Sequence, residues 1–212
     1  QQYDDNAIKK SLYERLLFID NAIDIPQASV TENEQLEVVF VGRGAPQKRI
    51  HLIASIAQMI HAAGDKIHVS FVGDVEKVIN PADLPFCKFY GNVNDERLMD
   101  KIYRQSDVLI LTSAFEGLPI VVMTMMAYGK IVLSTAVNGI PDYIEHMKNG
   151  LLIYETEEIE IVNKGVELLR LLLLQPDLKI TLGKKNREVA IEKFSRAIFC
   201  KHYRGILVDK KK

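Results

Sequence analysis

The fold is decided by residues 38–72, which read VVFVGRGAPQKRIHLIASIAQMIHAAGDKIHVSFV. The stretch opens with the apolar run Val38–Val41, passes through a glycine turn, and closes with a second apolar run, Ile67–Val72. Between the runs, apolar side chains recur at helical spacing over Gln47–Ala63, and Gly64 is placed to end that helix. A strand, a helix and a strand in this order predict a βαβ unit with parallel strands.

The same unit recurs along the chain. Further short apolar runs are Phe86–Tyr90, Val108–Leu111, Ile131–Leu133 and Leu151–Ile153, and further helices are predicted over Asp95–Arg104, Pro119–Gly129, Glu157–Leu174 and Asp177–Lys193. Most of the runs lack an apolar/polar alternation, as strands covered on both faces do. The sequence therefore predicts an α/β fold, with a parallel sheet domain over 37–193, an N-terminal helix and connecting segment over 1–36, and a C-terminal helix with a basic tail over 194–212.

Composition narrows the class of protein. The 212 residues are 48% hydrophobic and 26% charged, which is typical of one globular domain with short appendages. A net charge of −1 provides no global field for nucleic acid, so no nucleic-acid partner is expected. Apolar runs such as Leu171–Leu174 are too short to span a membrane, and Gln1–Asp5 lacks the basic start of a signal peptide. The two cysteines, Cys87 and Cys200, indicate neither a disulfide framework nor a zinc site. We expect a cytoplasmic protein.

Glycine-containing segments follow successive strands of the predicted sheet. In an open parallel sheet, ligands bind beyond the carboxyl ends of the strands, where these segments meet. The first segment contains Gly42, Arg43, Gly44 and Lys48, and two cations beside a glycine turn and a helix start favour a phosphate site. It lacks the third glycine of a dinucleotide fingerprint and the Gly-Lys-Ser/Thr of a P-loop. The alternative is a turn with two solvated basic residues.

A second anion site is predicted where the fourth strand leads into a helix. Backbone N–H groups from Gly117 to Ile120, without that of Pro119, would point away from the helix start. Glu116 would repel a phosphate, so its better role is to accept hydrogen bonds from hydroxyl groups beside the phosphate, as in a sugar. The alternative is that it only satisfies the helix start.

Asp74 and Glu76 either lie in a solvated turn or form a metal-binding pair.

These residues, taken in order, resemble a known family. The matching segments are Gly42-Arg43 with Lys48, Phe71–Asp74, Phe89–Val93, Ser106–Val108, Ser113–Pro119, Ala127–Gly129, Gly139–Asp142 and Asn149–Leu152. Together they resemble the carboxy-terminal, donor-binding domain of retaining family 4 glycosyltransferases, and Leu17–Asp24 is similar to the segment that links the two domains of such enzymes. The resemblance implies a Rossmann-like parallel sheet with helices on both faces, which is one half of a GT-B fold.

The resemblance also implies roles for residues. Arg43 and Lys48 would neutralise the diphosphate of a nucleotide sugar, Gly91–Val93 would border the base, and Glu116 would contact the donor sugar, so that these three charged residues are the catalytic candidates. The donor-binding candidates it implies are Gly42, Gly44, Gly91, Asn92, Val93, Gly117, Leu118, Ile120 and Thr124. It implies transfer with retention, no metal and no cofactor besides the donor substrate, because the cations stabilise the leaving diphosphate.

Three departures from the family qualify this expectation. Thr124 stands where the family has a ribose-binding glutamate, and Arg49 stands where it usually has glycine, so that Arg49 either adds a cation or faces solvent. The expected partner, an amino-terminal domain that holds the acceptor, is outside this chain, so the fragment alone is expected to be inactive. Membrane association would be peripheral and would involve the full-length protein.

The alternative function is a non-catalytic nucleotide-sugar or partner-binding module. A hydrolase-like or epimerase relative would require a general base at the rim, where no histidine is placed.

Overall fold

The computed structural model describes residues 19–27 and 33–209 and contains one sheet of six parallel strands in that part of the chain. The strands are β1 (Leu36–Val41), β2 (Ile67–Val72), β3 (Lys88–Phe89), β4 (Val108–Leu111), β5 (Ile131–Thr135) and β6 (Leu151–Ile153). The helices are α1 (Ile50–Ala62), α2 (Glu96–Gln105), α3 (Ile120–Ala127), α4 (Glu158–Leu174), α5 (Pro176–Phe194) and α6 (Arg196–Asp209). The predicted Rossmann-like α/β fold is confirmed.

The helix starts differ from the prediction in ways that matter for the site. Helix α1 begins at Ile50 rather than at Gln47, because Pro46–Lys48 forms a separate 3₁₀ turn and Arg49 adopts a left-handed conformation with φ 44°. Helix α2 is capped by Asp95, whose carboxylate accepts a hydrogen bond from the Arg97 N–H at 2.9 Å. Helix α3 starts one residue after Pro119, which is its N-cap.

The strand order locates the crevice where a ligand can enter. The order is β3-β2-β1-β4-β5-β6, so successive strands are added in one direction from β1 to β3 and in the other from β4 to β6. The connections that leave β1 and β4 therefore run to opposite sides and separate at the carboxyl edge of the sheet. This edge between β1 and β4 is called the switch point below.

The core surrounds the sheet on both faces. Successive side chains of a strand point to opposite faces, yet every residue of β4, β5 and β6 is buried. Helix α1 packs against α4, and α3 packs against α5. A sheet covered in this way leaves its edges as the surfaces where loops approach a ligand.

The segment that precedes the sheet is docked against the C-terminal helices. The Ile23 N–H donates to the Phe194 carbonyl at 2.9 Å, and the Arg187 guanidinium donates to the Pro26 carbonyl at 2.5 Å. Of the segment 1–36, which was predicted to contain the N-terminal helix, residues 1–18 and 28–32 lie outside the described residues. The division of the chain at 36 and 193 stays a prediction. Within the described ranges, no helix has the length and apolarity needed to cross a membrane.

Gly73 allows the loops after β1 and β2 to approach each other. Its φ is +117°, and a Cβ at this position would lie 1.9 Å from the Gly42 carbonyl oxygen. Gly73 also donates its N–H to the Gly91 carbonyl at 2.8 Å, which ties in the segment after β3. One glycine thus holds together the segments that follow β1, β2 and β3. The segments that follow the strands at the carboxyl edge of the sheet are called rim segments below, numbered in chain order.

We expect Gly73→Ala to lower the free energy of unfolding by about 3 kcal/mol or more, because backbone strain and a backbone collision add. Gly64→Ala is the control, since Gly64 also has a positive φ, +71°, but nothing lies within 4 Å of an added Cβ. It should lose only about 1 kcal/mol. Urea denaturation measures both, and equal losses would contradict the collision.

Candidate functional site

A cleft of about 500 Å³ lies at the carboxyl ends of β1 and β2. Its lining includes Gly42, Arg43, Gly73, Asn92 and Val93. The structure therefore brings together the first and third rim segments, which are far apart in sequence. The volume is within the range of small-molecule sites.

Arg43 is the uncommitted cation at this cleft. Its side chain is exposed, and within residues 19–27 and 33–209 no acceptor or carboxylate pairs with its guanidinium. The guanidinium presents a planar fork of N–H donors that matches the oxygens of a phosphate. Arg43 is therefore free to bind an anion without first breaking an ion pair.

Lys48 and Glu116 form an ion pair that bridges the switch point. Lys48 follows β1 and Glu116 follows β4, and the Lys48 ammonium contacts Glu116 Oε1 directly. The Ser113 hydroxyl donates to the same oxygen at 2.6 Å. The side chains are only 15% and 8% exposed, so both charges are largely removed from water and the pairing compensates that desolvation.

Arg49 is half-buried and engaged by backbone, so the expectation that it merely faces solvent was wrong, and it is not among the residues that line the cleft. Its Nε donates to the Thr112 carbonyl at 2.7 Å and its Nη2 to the Ser113 carbonyl at 3.0 Å. The side chain points across the switch point towards the end of β4. The guanidinium is therefore engaged by backbone of the neighbouring rim segment.

Asp74 fixes the conformation of the glycine loop. Its carboxylate accepts the Gly44 N–H at 2.8 Å through Oδ1 and the Lys77 ammonium at 2.6 Å through Oδ2. The Lys77 hydrogen bond, helped by that from Gly44, lowers the pKa of Asp74 to about 2. Glu76 is exposed, and across the described ranges no three His, Cys, Asp or Glu side chains come together in a metal-binding arrangement. Metal independence stays a prediction.

The remaining candidates lie on the approach to α3 and on its first turns. Gly117, Leu118 and the 63% exposed Ile120 lie on the Glu116 side of the switch point. The Thr124 hydroxyl donates to the Ile120 carbonyl at 2.9 Å, one helical turn back. With its proton so engaged, Thr124 is left to accept a hydrogen bond from a ligand hydroxyl.

Sequence reasoning missed the buried hydroxyls at the base of the site. The Thr112 hydroxyl donates to the carbonyls of Lys48 and Arg49, at 3.1 and 2.9 Å. The Thr135 hydroxyl donates to the Ser113 carbonyl at 2.7 Å. Thr112 and Thr135 are at most 1% exposed, so these hydrogen bonds have no competition from water. The signal in the sequence is a hydroxyl residue at the end of a buried apolar strand.

Comparison with known proteins identifies relatives of this chain. The family model described as glycosyl transferases group 1 matches residues 22–189. An uncharacterized glycosyltransferase of Methanocaldococcus jannaschii is 27% identical over 157 residues, which cover 70% of this chain and 40% of that protein. The chain spans about half the length of the curated relatives it matches.

Solved structures share the fold. The crystal structure of TarM aligns with a TM-score of 0.76 at 20% identity, covering 95% of this chain and 42% of TarM. The crystal structure of HepE from Anabaena in complex with UDP-glucose aligns with a TM-score of 0.66 at 19% identity, covering 83% of this chain and 49% of HepE. At these identities the likeness shows the architecture alone.

The contacts of Asp74 generate a pH prediction. Because its pKa in the folded chain is about 2 and that of an unfolded aspartate is about 3.9, its stabilisation is fully present above about pH 5 and is lost progressively as the pH falls towards 2. The difference in thermal midpoint between the unmodified chain and Asp74→Asn should therefore shrink from pH 5 to pH 2.5. Asp83→Asn is the control, since the exposed Asp83 carboxylate has no hydrogen bond within the described ranges. A constant difference for Asp74→Asn would contradict the assignment.

Proposed function

The chain belongs to the group 1 glycosyl transferases and has the fold of a carboxy-terminal GT-B domain, and from this we propose that it binds a nucleoside-diphosphate sugar as the donor domain of a retaining transferase. The observation that carries the proposal is the pairing of Lys48 with Glu116 across the switch point, with Arg43, unpaired within the described ranges, in the neighbouring cleft beyond β1 and β2, whose lining includes neither Lys48 nor Glu116. These residues offer two cations for a diphosphate and one carboxylate for sugar hydroxyls. HepE was solved with UDP-glucose, which makes a uridine nucleotide the first donor to test.

In the proposed complex the diphosphate is held by the two cations. Arg43 binds phosphate oxygens without losing a partner, whereas Lys48 turns from Glu116 to the phosphate. A charge-assisted hydrogen bond contributes about 1.5–3 kcal/mol. The main-chain N–H groups at Gly42–Gly44 are not all available, because Asp74 already accepts the one at Gly44.

Glu116 is proposed to receive the donor sugar. Once Lys48 has turned to the phosphate, the carboxylate retains the Ser113 hydroxyl and requires new donors, since a buried carboxylate with unfilled acceptor positions is unfavourable. Sugar hydroxyls provide these donors. Sugar binding thus completes the exchange of partners that the diphosphate begins.

The proposed reaction transfers the sugar to an acceptor hydroxyl with retention. The bond between the anomeric carbon and the diphosphate oxygen breaks and its electron pair stays on the diphosphate. The acceptor hydroxyl oxygen forms the new bond on the same face, and its proton passes to the departing diphosphate oxygen. Arg43 and Lys48 stabilise the negative charge that grows on the leaving diphosphate. We propose that these cations make a metal unnecessary.

Thr124 is proposed to lie on the ribose side of the donor. As its hydroxyl donates to the Ile120 carbonyl, a ribose hydroxyl would donate to it and form a neutral hydrogen bond. This contact is weaker than one to a carboxylate. The weaker contact is the observation that favours the second candidate function, a non-catalytic nucleotide-sugar or partner-binding module.

The acceptor is proposed to bind in another part of the protein. The chain spans about half the length of its relatives, and the site described here accounts for donor groups only. We propose that an amino-terminal domain holds the acceptor and that the present chain binds donor but transfers little sugar by itself. Transfer by a mixture with such a domain, and not by either part, would support this division.

Nucleotide binding tests the proposal directly. Calorimetric titration uses UDP with UDP-glucose first, then the corresponding ADP, GDP and dTDP pairs, and the pair that binds the unmodified chain best is called the probe pair. Arg43→Ala or Lys48→Ala should weaken binding of the diphosphate about tenfold to a hundredfold, since each removes a charge-assisted hydrogen bond. Glu116→Gln should weaken the nucleotide sugar more than the diphosphate, because only the sugar presents the hydroxyls.

Lys148→Ala is the matched control, because Lys148 forms an exposed ion pair with Glu145 away from the cleft. Its affinities should equal those of the unmodified chain, and a chelator should change none of them. Unaltered affinity in both the Arg43 and Lys48 variants would refute the diphosphate assignment. Binding that disappears with chelator and returns with Mg²⁺ or Mn²⁺ would refute metal independence.

The ribose assignment has its own test. Thr124→Glu should tighten both members of the probe pair alike, by about 1 kcal/mol, which is the difference between a neutral and a charge-assisted hydrogen bond. Circular dichroism checks that the variant is folded. Weaker binding of both ligands by folded protein would favour the non-catalytic module, since repulsion of the diphosphate would then exceed any gain at the ribose.

A further inference from the structure

Arg49 joins two rim segments that the sheet itself does not hold together. β1 and β4 are paired only at Val38 with Val108 and at Val39 with Leu109. Beyond that ladder no further strand pairing joins β1 to β4, so the segments that follow them are held together by loop and side-chain contacts. The Arg49 guanidinium crosses this gap and donates to the carbonyls of Thr112 and Ser113, at 2.7 and 3.0 Å.

Hydrogen bonds return across the same gap in the other direction. The Thr112 hydroxyl donates to the carbonyls of Lys48 and Arg49, and the Ala114 N–H donates to the Gln47 carbonyl at 2.8 Å. Residues 47–49 and 112–114 are thus linked from both sides. We call this set of contacts the Arg49 brace.

The Arg49 brace lies directly beneath the two charged groups of the site. Lys48 is the preceding residue of Arg49, and Ser113 in the brace donates its hydroxyl to Glu116 at 2.6 Å. A shift of residues 47–49 relative to 112–114 would therefore move the Lys48 ammonium relative to the Glu116 carboxylate. Their spacing is set by the brace, in addition to their own attraction.

The backbone conformation of Arg49 indicates that its side chain makes contacts that a glycine at this position could not make. Its φ of 44° lies in the left-handed region, where glycine is relaxed and a residue with a Cβ is strained. The two guanidinium bonds offset that strain, and glycine at this position would be relaxed but would provide no brace. The arginine at this position is thus strained in its backbone, but its side chain holds residues 47–49 at a fixed distance from residues 112–114.

We propose that Arg49 is a positioning residue that holds the diphosphate and sugar halves of the donor site in register, and the proposal rests on the function proposed above. A bare nucleoside diphosphate requires the Lys48 side of the site, whereas a nucleotide sugar requires both sides at once. Loss of the brace should therefore reduce the preference for the nucleotide sugar over the diphosphate, beyond any loss of stability.

The test compares Arg49→Met, which keeps the apolar stem, with Arg49→Lys, which keeps the charge and some donors. Affinities for the probe pair are measured by calorimetry at a temperature where each variant is folded by circular dichroism. Arg49→Met should weaken the nucleotide sugar at least tenfold and the diphosphate less than threefold, and Arg49→Lys should fall between Arg49→Met and the unmodified chain. The coupling between Lys48→Ala and Glu116→Gln in a double-mutant cycle should also decrease when Arg49→Met is added.

Arg170→Met is the matched control, because Arg170 joins α4 to Asp65 at 2.8 Å away from the switch point. It should lower the thermal midpoint and leave the ratio of the two affinities unchanged. If Arg49→Met does not fold, Thr112→Val removes the bonds that return from β4 and should change the ratio in the same direction. An unchanged ratio in the folded Arg49 or Thr112 variants, with both ligands bound by the unmodified chain, overturns the positioning role alone. Binding of no probe by the unmodified chain overturns the proposed function and this inference together.

Discussion

The pairing of β1 with β4 is the constraint on which the site depends. Because the strand order reverses there, the connections after these two strands separate and leave room between them at the carboxyl edge of the sheet. The same pairing keeps the first residues of both connections as close together as two adjacent strands of the sheet. A lysine after β1 can therefore reach a glutamate after β4, although the two residues are 68 positions apart.

The electrostatics of the site couple the two halves of the proposed donor. Lys48 and Glu116 are both poorly exposed, and each is the compensating charge of the other. A diphosphate that takes Lys48 leaves Glu116 in need of hydrogen-bond donors, and sugar hydroxyls are suitable ones. Arg43 is exposed and has no such exchange to make, so it is suited to the first encounter with an anion.

Two departures from the family pattern have different structural consequences. Arg49 stands where the family usually has a flexible glycine, and it joins two loops because its guanidinium donates to two carbonyls of the neighbouring rim segment. Thr124 leaves a hydroxyl whose proton is already used within α3. The first departure affects how the two sides of the site are spaced, and the second affects how strongly a ribose could be held.

The sequence by itself determined the sheet and its helices, because apolar runs covered on both faces and amphipathic helices are local patterns of period and length. It also placed Arg43, Lys48 and Glu116 at the rim, because a residue that follows a strand of a parallel sheet can lie at one edge only. Only the tertiary structure decided that Lys48 pairs with Glu116, that Asp74 holds Gly44, and that Arg49 turns inward. Each of these contacts joins segments that follow different strands, so its partners are determined by strand order and loop conformation, which no local pattern records.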